Sequence, residues 1–205
     1  MRHLLLIAIV LSVILISGCA PSVETETPAQ AAPVTPSRLA GPAPGQKLLG
    51  SADAFKISLK QYSAHVETIA KENFPQDACL ISVFGEYPSQ QETGKASLWH
   101  YKYYSKSQNR AIVVDADVRE TAGKLLAYGS VKPVKVFKKE PYKPCIQFSQ
   151  AVDSTDAGKS VNAQNLAGIS LEYDTDTEGS PNLVYAFTTS AGEIKVSGVT
   201  GQALV

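Results

Sequence analysis

Three stretches, "ACLISVFGEY" (78–87), "SLWHYKYYS" (97–105) and "RAIVVDADV" (110–118), are dense in β-branched and aromatic residues, with turn-rich "PSQQETGK" and "KSQN" between them. Runs of this kind, bounded by turn residues, read as strands joined in two successive hairpins. A second group follows: "ISLEYDT" (169–175), the loop "DTEGSPN", "LVYAFTTS" (183–190), a turn at Ala191-Gly192, and "EIKVSGVTGQALV" (193–205). Each group is preceded by a helical pattern. Phe55, Leu59, Tyr62, Val66 and Ile69 recur at spacings of three and four after Ser51, an N-cap candidate, and Pro75 disfavours helix at Phe74. "DSTDAGKSVNAQNLAG" (153–168) opens on the capping residues Asp153 and Ser154, with Ala157 and Val161 as its best apolar pair. Helix followed by three strands thus occurs twice, as an internal duplication produces. The expected fold class is α+β: two tandem units, residues 51–149 and 150–205, each a helix packed on a small antiparallel β-sheet, linked through residues 119–150.

The N-terminus supplies an address. Arg2 and His3 precede an apolar run from Leu4 to Ile16, and the segment closes on small residues, the layout of an export signal. The run is short for a bilayer span. Ile16-Ser17-Gly18-Cys19 resembles the lipobox of prokaryotic lipoproteins, in which cleavage leaves the cysteine as a lipid-modified first residue. Residues 1–18 are accordingly expected to be a signal peptide and Cys19 the lipidation site. The alternative is an ordinary secretory signal whose cleavage region includes a cysteine. Stable anchoring needs more than one acyl chain, which a diacylglyceryl cysteine provides. The protein is thus expected on the exported side of a cell membrane or outer membrane. Ala20 stands where an Asp would retain a Gram-negative lipoprotein at the inner membrane, which points to the outer one in such a cell.

Residues 19–50 are rich in Pro, Ala, Thr and Gly and lack aromatic side chains, so they cannot bury enough apolar area to fold. A coil of that length spans roughly 30 Å and serves as a tether. Of 19 basic residues Arg2 falls in the signal, leaving 18 against 19 acidic, and this balance argues against a nucleic-acid partner.

"NFPQDACLISV", "GKASLWHYKYYS" and "AIVVDADV" in the first half, and "DSTDAGKSVNAQ" and "PNLVYAFTTSAGEIKVSGVTGQAL" in the second, resemble the PepSY-like group of extracytoplasmic domains. In that group a helix precedes an antiparallel sheet whose middle strand starts near a Trp and whose last strand ends in a "DA-x-TG" type turn. Trp99 and Val114-Asp115-Ala116 match in the first half. The second half has the closing Val199-Thr200-Gly201 but Leu183-Val184-Tyr185 at the tryptophan position. The resemblance spans roughly residues 51–120 and 150–205. It implies a non-catalytic module, of a kind proposed to bind or restrain peptidases, and it brings no catalytic residues.

Once Cys19 is acylated, Cys79 and Cys145 are an even pair in an oxidising compartment, which predicts a disulfide stapling the two halves, with two separately buried thiols as the alternative. Trp99, Tyr101 and Tyr103 alternate along one strand face, opposite His100, Lys102 and Tyr104. An exposed aromatic row here would be a binding surface for a sugar or a peptide, yet strands favour aromatics and one face must meet the helix, so the Trp99 face is expected in the core and Tyr104 at the surface. Asp174, Asp176 and Glu178 before Gly179 mimic the start of a calcium loop, but the twelfth position is Tyr185, so a solvated hairpin loop is the better reading and no metal or other cofactor is expected. Lys132, Lys135, Lys138, Lys139 and Lys143, with Pro133, Pro141 and Pro144, suit the protection of an edge strand, with partner docking or an anionic surface as the other reading.

Apart from the signal, the histidines are His65 and His100, and no G-x-S-x-G, H-E-x-x-H or phosphate-binding glycine loop is present, so no catalytic residue is assigned. The expected function is a lipid-anchored, non-catalytic binding or accessory module whose partner is another envelope protein. A small hydrolase built on scattered carboxylates is the rival reading.

Overall fold

A computed structural model describes residues 42–74, 77–135, 144–162, 165–174 and 181–204. In chain order the elements are β1 (Gln46–Ser51), β2 (Ile57–Ser58), α1 (Ser63–Asn73), β3 (Ala78–Pro88), β4 (Lys95–Ser105), β5 (Arg110–Thr121), β6 (Lys124–Val134), α2 (Ser154–Gly158), β7 (Leu166–Asp174), β8 (Asn182–Thr189) and β9 (Gly192–Ser197). The strands join in one nine-stranded antiparallel sheet of order β1-β6-β5-β4-β3-β7-β8-β9, with β2 paired to β4 off this path.

This corrects the expectation of two tandem helix-on-sheet units. The first strand after each helix, β3 and β7, pair with one another in the register Ser82↔Glu172, Val83↔Leu171, Phe84↔Ser170 and Gly85↔Ile169. The sheet therefore runs unbroken across the expected division at residues 149 and 150. A three-stranded sheet with a five-residue helix has too little apolar surface to stand alone, and pairing β3 with β7 removes an open edge from each half. Val83, Trp99, Tyr101, Leu171, Tyr185 and Phe187 consequently share one core.

Two further boundaries differ. The linker expected at 119–150 contains β6, because β5 continues to Thr121 and turns at Ala122 (φ 51°) and Gly123 (φ 74°). Two positive-φ residues make the turn type whose twist matches a hairpin. Beyond Ser130 the outer side of β6 has no partner strand among the described residues, so Pro133 sits where a missing N–H costs little. At the other end, the single strand expected over 193–205 is β9 followed by a tight return. Ser197 N–H donates to Gln202 O at 2.8 Å and Leu204 N–H to Lys195 O at 2.9 Å, so the return covers the outer edge of β9.

The first helix is shorter than its periodicity predicts, and Ser51 ends β1 instead of capping a helix. β1 itself lies partly within the segment assigned to the tether. Residues 52–62 are held out of helix by tertiary hydrogen bonds to their backbone. Trp99 Nε1 donates to Ile57 O (2.9 Å), Tyr101 Oη to Leu59 O (2.7 Å), and Leu59 N–H to Ser154 Oγ (2.9 Å). Groups engaged in this way are lost to an i→i−4 ladder. Leu59, Tyr62, Val66 and Ile69 still face the core, while Phe55 is exposed.

α2 begins where the capping residues indicate, with Asp153 Oδ1 accepting from Thr155 N–H at 3.1 Å. It docks on the β3–β4 turn through glycine-to-glycine contact. Ser154 Oγ, fully buried, donates to Gly94 O at 2.6 Å while accepting from Leu59 N–H. In the middle of the sheet, the Trp99 ring lies over Gly85, where an added Cβ would stand 2.8 Å from the ring.

Candidate functional site

Both helices pack on the Trp99 face, so the opposite face of the sheet carries no helix among the described residues. Side chains alternate across the pleat, which puts Phe84 and Glu86 of β3, His100 of β4, Asp115 of β5 and Lys132 of β6 on that free face. His100 lies directly opposite Asp115, and Lys132 is the diagonal neighbour of Asp115. The result is a continuous polar chain. His100 Nδ1 lies 2.6 Å from Asp115 Oδ1, His100 Nε2 lies 3.3 Å from Glu86 Oε1, and Lys132 Nζ lies 2.5 Å from Asp115 Oδ2. The Phe84 ring stacks on His100, with centroids 6.3 Å apart and planes at 13°.

The hydrogen bond that His100 donates to Asp115 raises the pKa of His100, burial opposes it, and the charges of Asp115 and Glu86 add to the rise. For Asp115, burial pushes the pKa up, but the hydrogen bonds and charges of His100 and Lys132 outweigh it and hold the carboxyl below the ordinary value. Both imidazole nitrogens thus face carboxylates, an arrangement that favours imidazolium. The group is suited to holding charge on the surface.

Stability should follow these shifts. The His100 contribution is complete below its unfolded pKa, about 6.5, and is lost as pH rises through the higher folded value; that of Asp115 is present above about 3.9 and is lost as pH falls through its lower folded value. The pair therefore stabilises most between about pH 4 and 6.5. Denaturant unfolding of wild type and His100→Gln is expected to show a stability gap that narrows from pH 6 to pH 8.5. A gap that is constant or widens would contradict this electrostatic account.

Beside the polar chain lies a groove of about 610 Å³ between Phe84, Tyr87 and Leu166. Phe84 is 41% and Tyr87 69% exposed, so two aromatic rings stand open to solvent among charged residues. The floor is fixed. Gln90 acts as a length of strand, its Nε2 donating to Leu166 O at 2.9 Å and its Oε1 accepting from Leu166 N–H at 3.0 Å. Lys56 Nζ donates to Pro88 O at 3.0 Å, and the Phe84 ring lies against Gly168, where a Cβ would come within 2.9 Å.

The residues singled out from the sequence fall as follows. Cys79 and Cys145 form a disulfide with a Cα separation of 5.1 Å. Trp99, Tyr101 and Tyr103 are core residues, so they offer no stacking row to solvent. Tyr104 is buried as well, against Ile81 and Ala111, and its hydroxyl donates to Asn109 Oδ1 at 2.8 Å. The reason is local: Tyr104 folds onto the turn of its own hairpin. Asp174 ends β7 and lies 3.1 Å from Lys195, and among the described residues no group of three His, Cys, Asp or Glu side chains is placed to hold a metal. Asp176, Glu178, Lys138, Lys139, Lys143 and Cys19, with the signal and most of the tether, lie outside the described residues. His65 is exposed on α1. Among the described residues no helix is long and apolar enough to cross a membrane.

Sequence reading missed Phe84, Glu86, Tyr87 and the Asp115–Lys132 pair. The alternation in "VVDADV" puts Asp115 and Asp117 on one face, but only the cross-strand register pairs Asp115 with His100. In comparison with known proteins, the chain matches no family model, no curated protein and no solved structure.

Proposed function

We propose that the protein is a lipid-anchored, non-catalytic binding module of the cell envelope, held at the membrane by Cys19 and presenting the helix-free face of its sheet to another envelope protein. The observation that carries this reading is Ile16-Ser17-Gly18-Cys19 closing an apolar run behind a basic start. The Cys79–Cys145 disulfide supports it, since such bonds persist in oxidising compartments. Exposed Phe84 and Tyr87, ringed by Lys56, Glu86 and His100, suit a contact surface, because interface centres favour aromatics and their rims are polar. The PepSY-like resemblance adds a peptidase as one kind of partner.

Anchoring is checked by intact-mass analysis of membrane-extracted protein. The mass expected is that of a chain starting at an acylated Cys19, and Cys19→Ala should leave the membrane fraction. An unmodified mass, or an unchanged fraction for the variant, refutes the anchor. Contact is checked with a photocrosslinking residue at Tyr87 in intact cells. One recurrent protein adduct that disappears in Phe84→Asp is the expected result. No adduct, together with turnover of a wall or peptide substrate by the purified protein, overturns the binding-module reading.

A further inference from the structure

Lys56 stands apart from the other charges around the Phe84–Tyr87 groove. The residue is half-buried and its Nζ donates to Pro88 O at 3.0 Å, yet among the described residues it has no carboxylate partner. An ammonium partly withdrawn from water is costly unless an anion answers it. The neighbouring charges are already matched. Glu86 lies 3.3 Å from His100 Nε2, and Asp115 faces both His100 Nδ1 and Lys132 Nζ. Those two cations and two carboxylates cancel, so among the described residues the groove keeps the positive charge of Lys56.

The backbone here is unusual as well. The pairing of β3 with β7 stops at Gly85↔Ile169, and the Gln90 side chain bridges the gap beyond it to Leu166. Tyr87 lies in this gap with φ 53°, a conformation that a bulky residue rarely adopts. Strain of this kind gathers at ligand clamps, where the surroundings hold it in place. Lys56 fixes the next carbonyl, that of Pro88, and Ser89 N–H donates to Lys95 O at 2.8 Å. Lys56 therefore braces the strained Tyr87 and carries the unmatched charge beside it.

We propose that this groove receives an acidic, apolar peptide segment of the partner protein, with a carboxylate on Lys56 Nζ and the adjacent apolar side chain between Phe84 and Tyr87. The proposal rests on the binding-module reading and gives its partner a chemistry. An ammonium has three donors and one is engaged by Pro88 O, which leaves donors for a carboxylate. Charge-assisted hydrogen bonds of this type are the strong ones. Pro88, Leu166 and Ala167 offer the apolar side chain a surface, and the two exposed rings flank it as interface anchors do. A basic segment would meet Lys56 with like charge and find Glu86 already matched by His100.

The test is an NMR titration of the disulfide-intact protein at pH 6, where His100 holds its proton, with three tetrapeptides capped at both ends: Ala-Phe-Asp-Ala, Ala-Phe-Asn-Ala and Ala-Ala-Asp-Ala. The Phe-Asp peptide is expected to shift the amides of Gln90, Leu166 and Ala167 saturably. It should bind about 3- to 10-fold more tightly than the Phe-Asn peptide, the equivalent of one partly exposed charge-assisted hydrogen bond, and more tightly than the Ala-Asp peptide. Lys56→Met, which keeps the stem without the charge, should erase the advantage of Asp over Asn, and Lys56→Arg should retain it. The comparison of peptides on the wild-type protein needs no variant, so it decides the matter even if Lys56→Met does not fold. Equal affinity for the Asp and Asn peptides, an equal loss for both in Lys56→Met, shifts that map elsewhere, or no saturable binding overturns the acidic segment. The Tyr87 crosslink keeps this proposal distinct from the reading it rests on. An adduct at full yield in folded Lys56→Met overturns the acidic segment and leaves the docking face standing, whereas a lost adduct supports both.

Discussion

Replacing Cys79 and Cys145 together by alanine is expected to lower the stability of the folded protein by about 4 kcal/mol. Chain-entropy reasoning for a loop of sequence separation 66 yields that figure, which is roughly a third or more of the total stability of an ordinary domain. The bond joins the first residues of β3 to the segment that leads into α2, and next to it the Ile146–Leu80 hydrogen bond continues the attachment. With the link gone, folding must itself close the loop containing β4, β5 and β6. Guanidinium unfolding of wild type and the double variant, both in the absence of reductant, measures the difference. A loss below about 1 kcal/mol would mean that the unfolded chain is already compact in this region and that the constraint operates weakly.

Gly94→Ala is expected to cost about 2–5 kcal/mol. The added Cβ would stand 2.1 Å from the Ser154 carbonyl oxygen and 2.7 Å from Thr155 Cα, both backbone atoms that no rotamer change can move, and Gly94 has φ +96°. Overpacking of about 1–3 kcal/mol and a left-handed cost of about 1–2 kcal/mol act together. Gly158→Ala tests the contact from the other side, since its Cβ would meet Thr93 O at 2.4 Å. Gly123→Ala is the control: φ is +74° with nothing within 4 Å of the new Cβ, so only the conformational cost of about 1 kcal/mol should appear. Thermal unfolding of the three variants separates packing from conformation. If Gly94→Ala and Gly123→Ala lose equal stability, the close docking of α2 on the β3–β4 turn is refuted.

These two features show how far local pattern reaches. The core strands were legible because "ACLISVFGEY", "SLWHYKYYS" and "RAIVVDADV" carry β-branched and aromatic residues between turn residues, and β3, β4 and β5 occupy those places. The Asp153 cap was legible for the same reason, since a side chain that bonds the N–H two residues on needs nothing distant. The extent of α1 was not. Phe55 and Leu59 fit a helical period, but the carbonyls of Ile57 and Leu59 are taken by Trp99 and Tyr101, 42 residues further along.

Most of the candidate site was hidden in a similar way. Tyr103 and Tyr104 were both visible as strand aromatics, yet nothing local distinguishes Tyr103, whose hydroxyl has no hydrogen-bond partner among the described residues, from Tyr101, whose hydroxyl donates to Leu59 O. Likewise, His100 and Asp115 acquire their shifted titration only through the β4–β5 register.

The sequence by itself determined the alternation that separates the Trp99 face from the His100 face, the hairpins among β3, β4 and β5, and the cysteine pair available for a staple, because strand period, turn chemistry and residue type are properties of neighbouring residues. Only the tertiary structure decided that the two helix-and-strand groups share one sheet. Each group repeats the same local pattern whether its first strand is an open edge or a central strand. The choice between them lies in the backbone groups of β3 and β7, which satisfy one another across the register from Ser82↔Glu172 to Gly85↔Ile169 and so merge two small apolar layers into a single core.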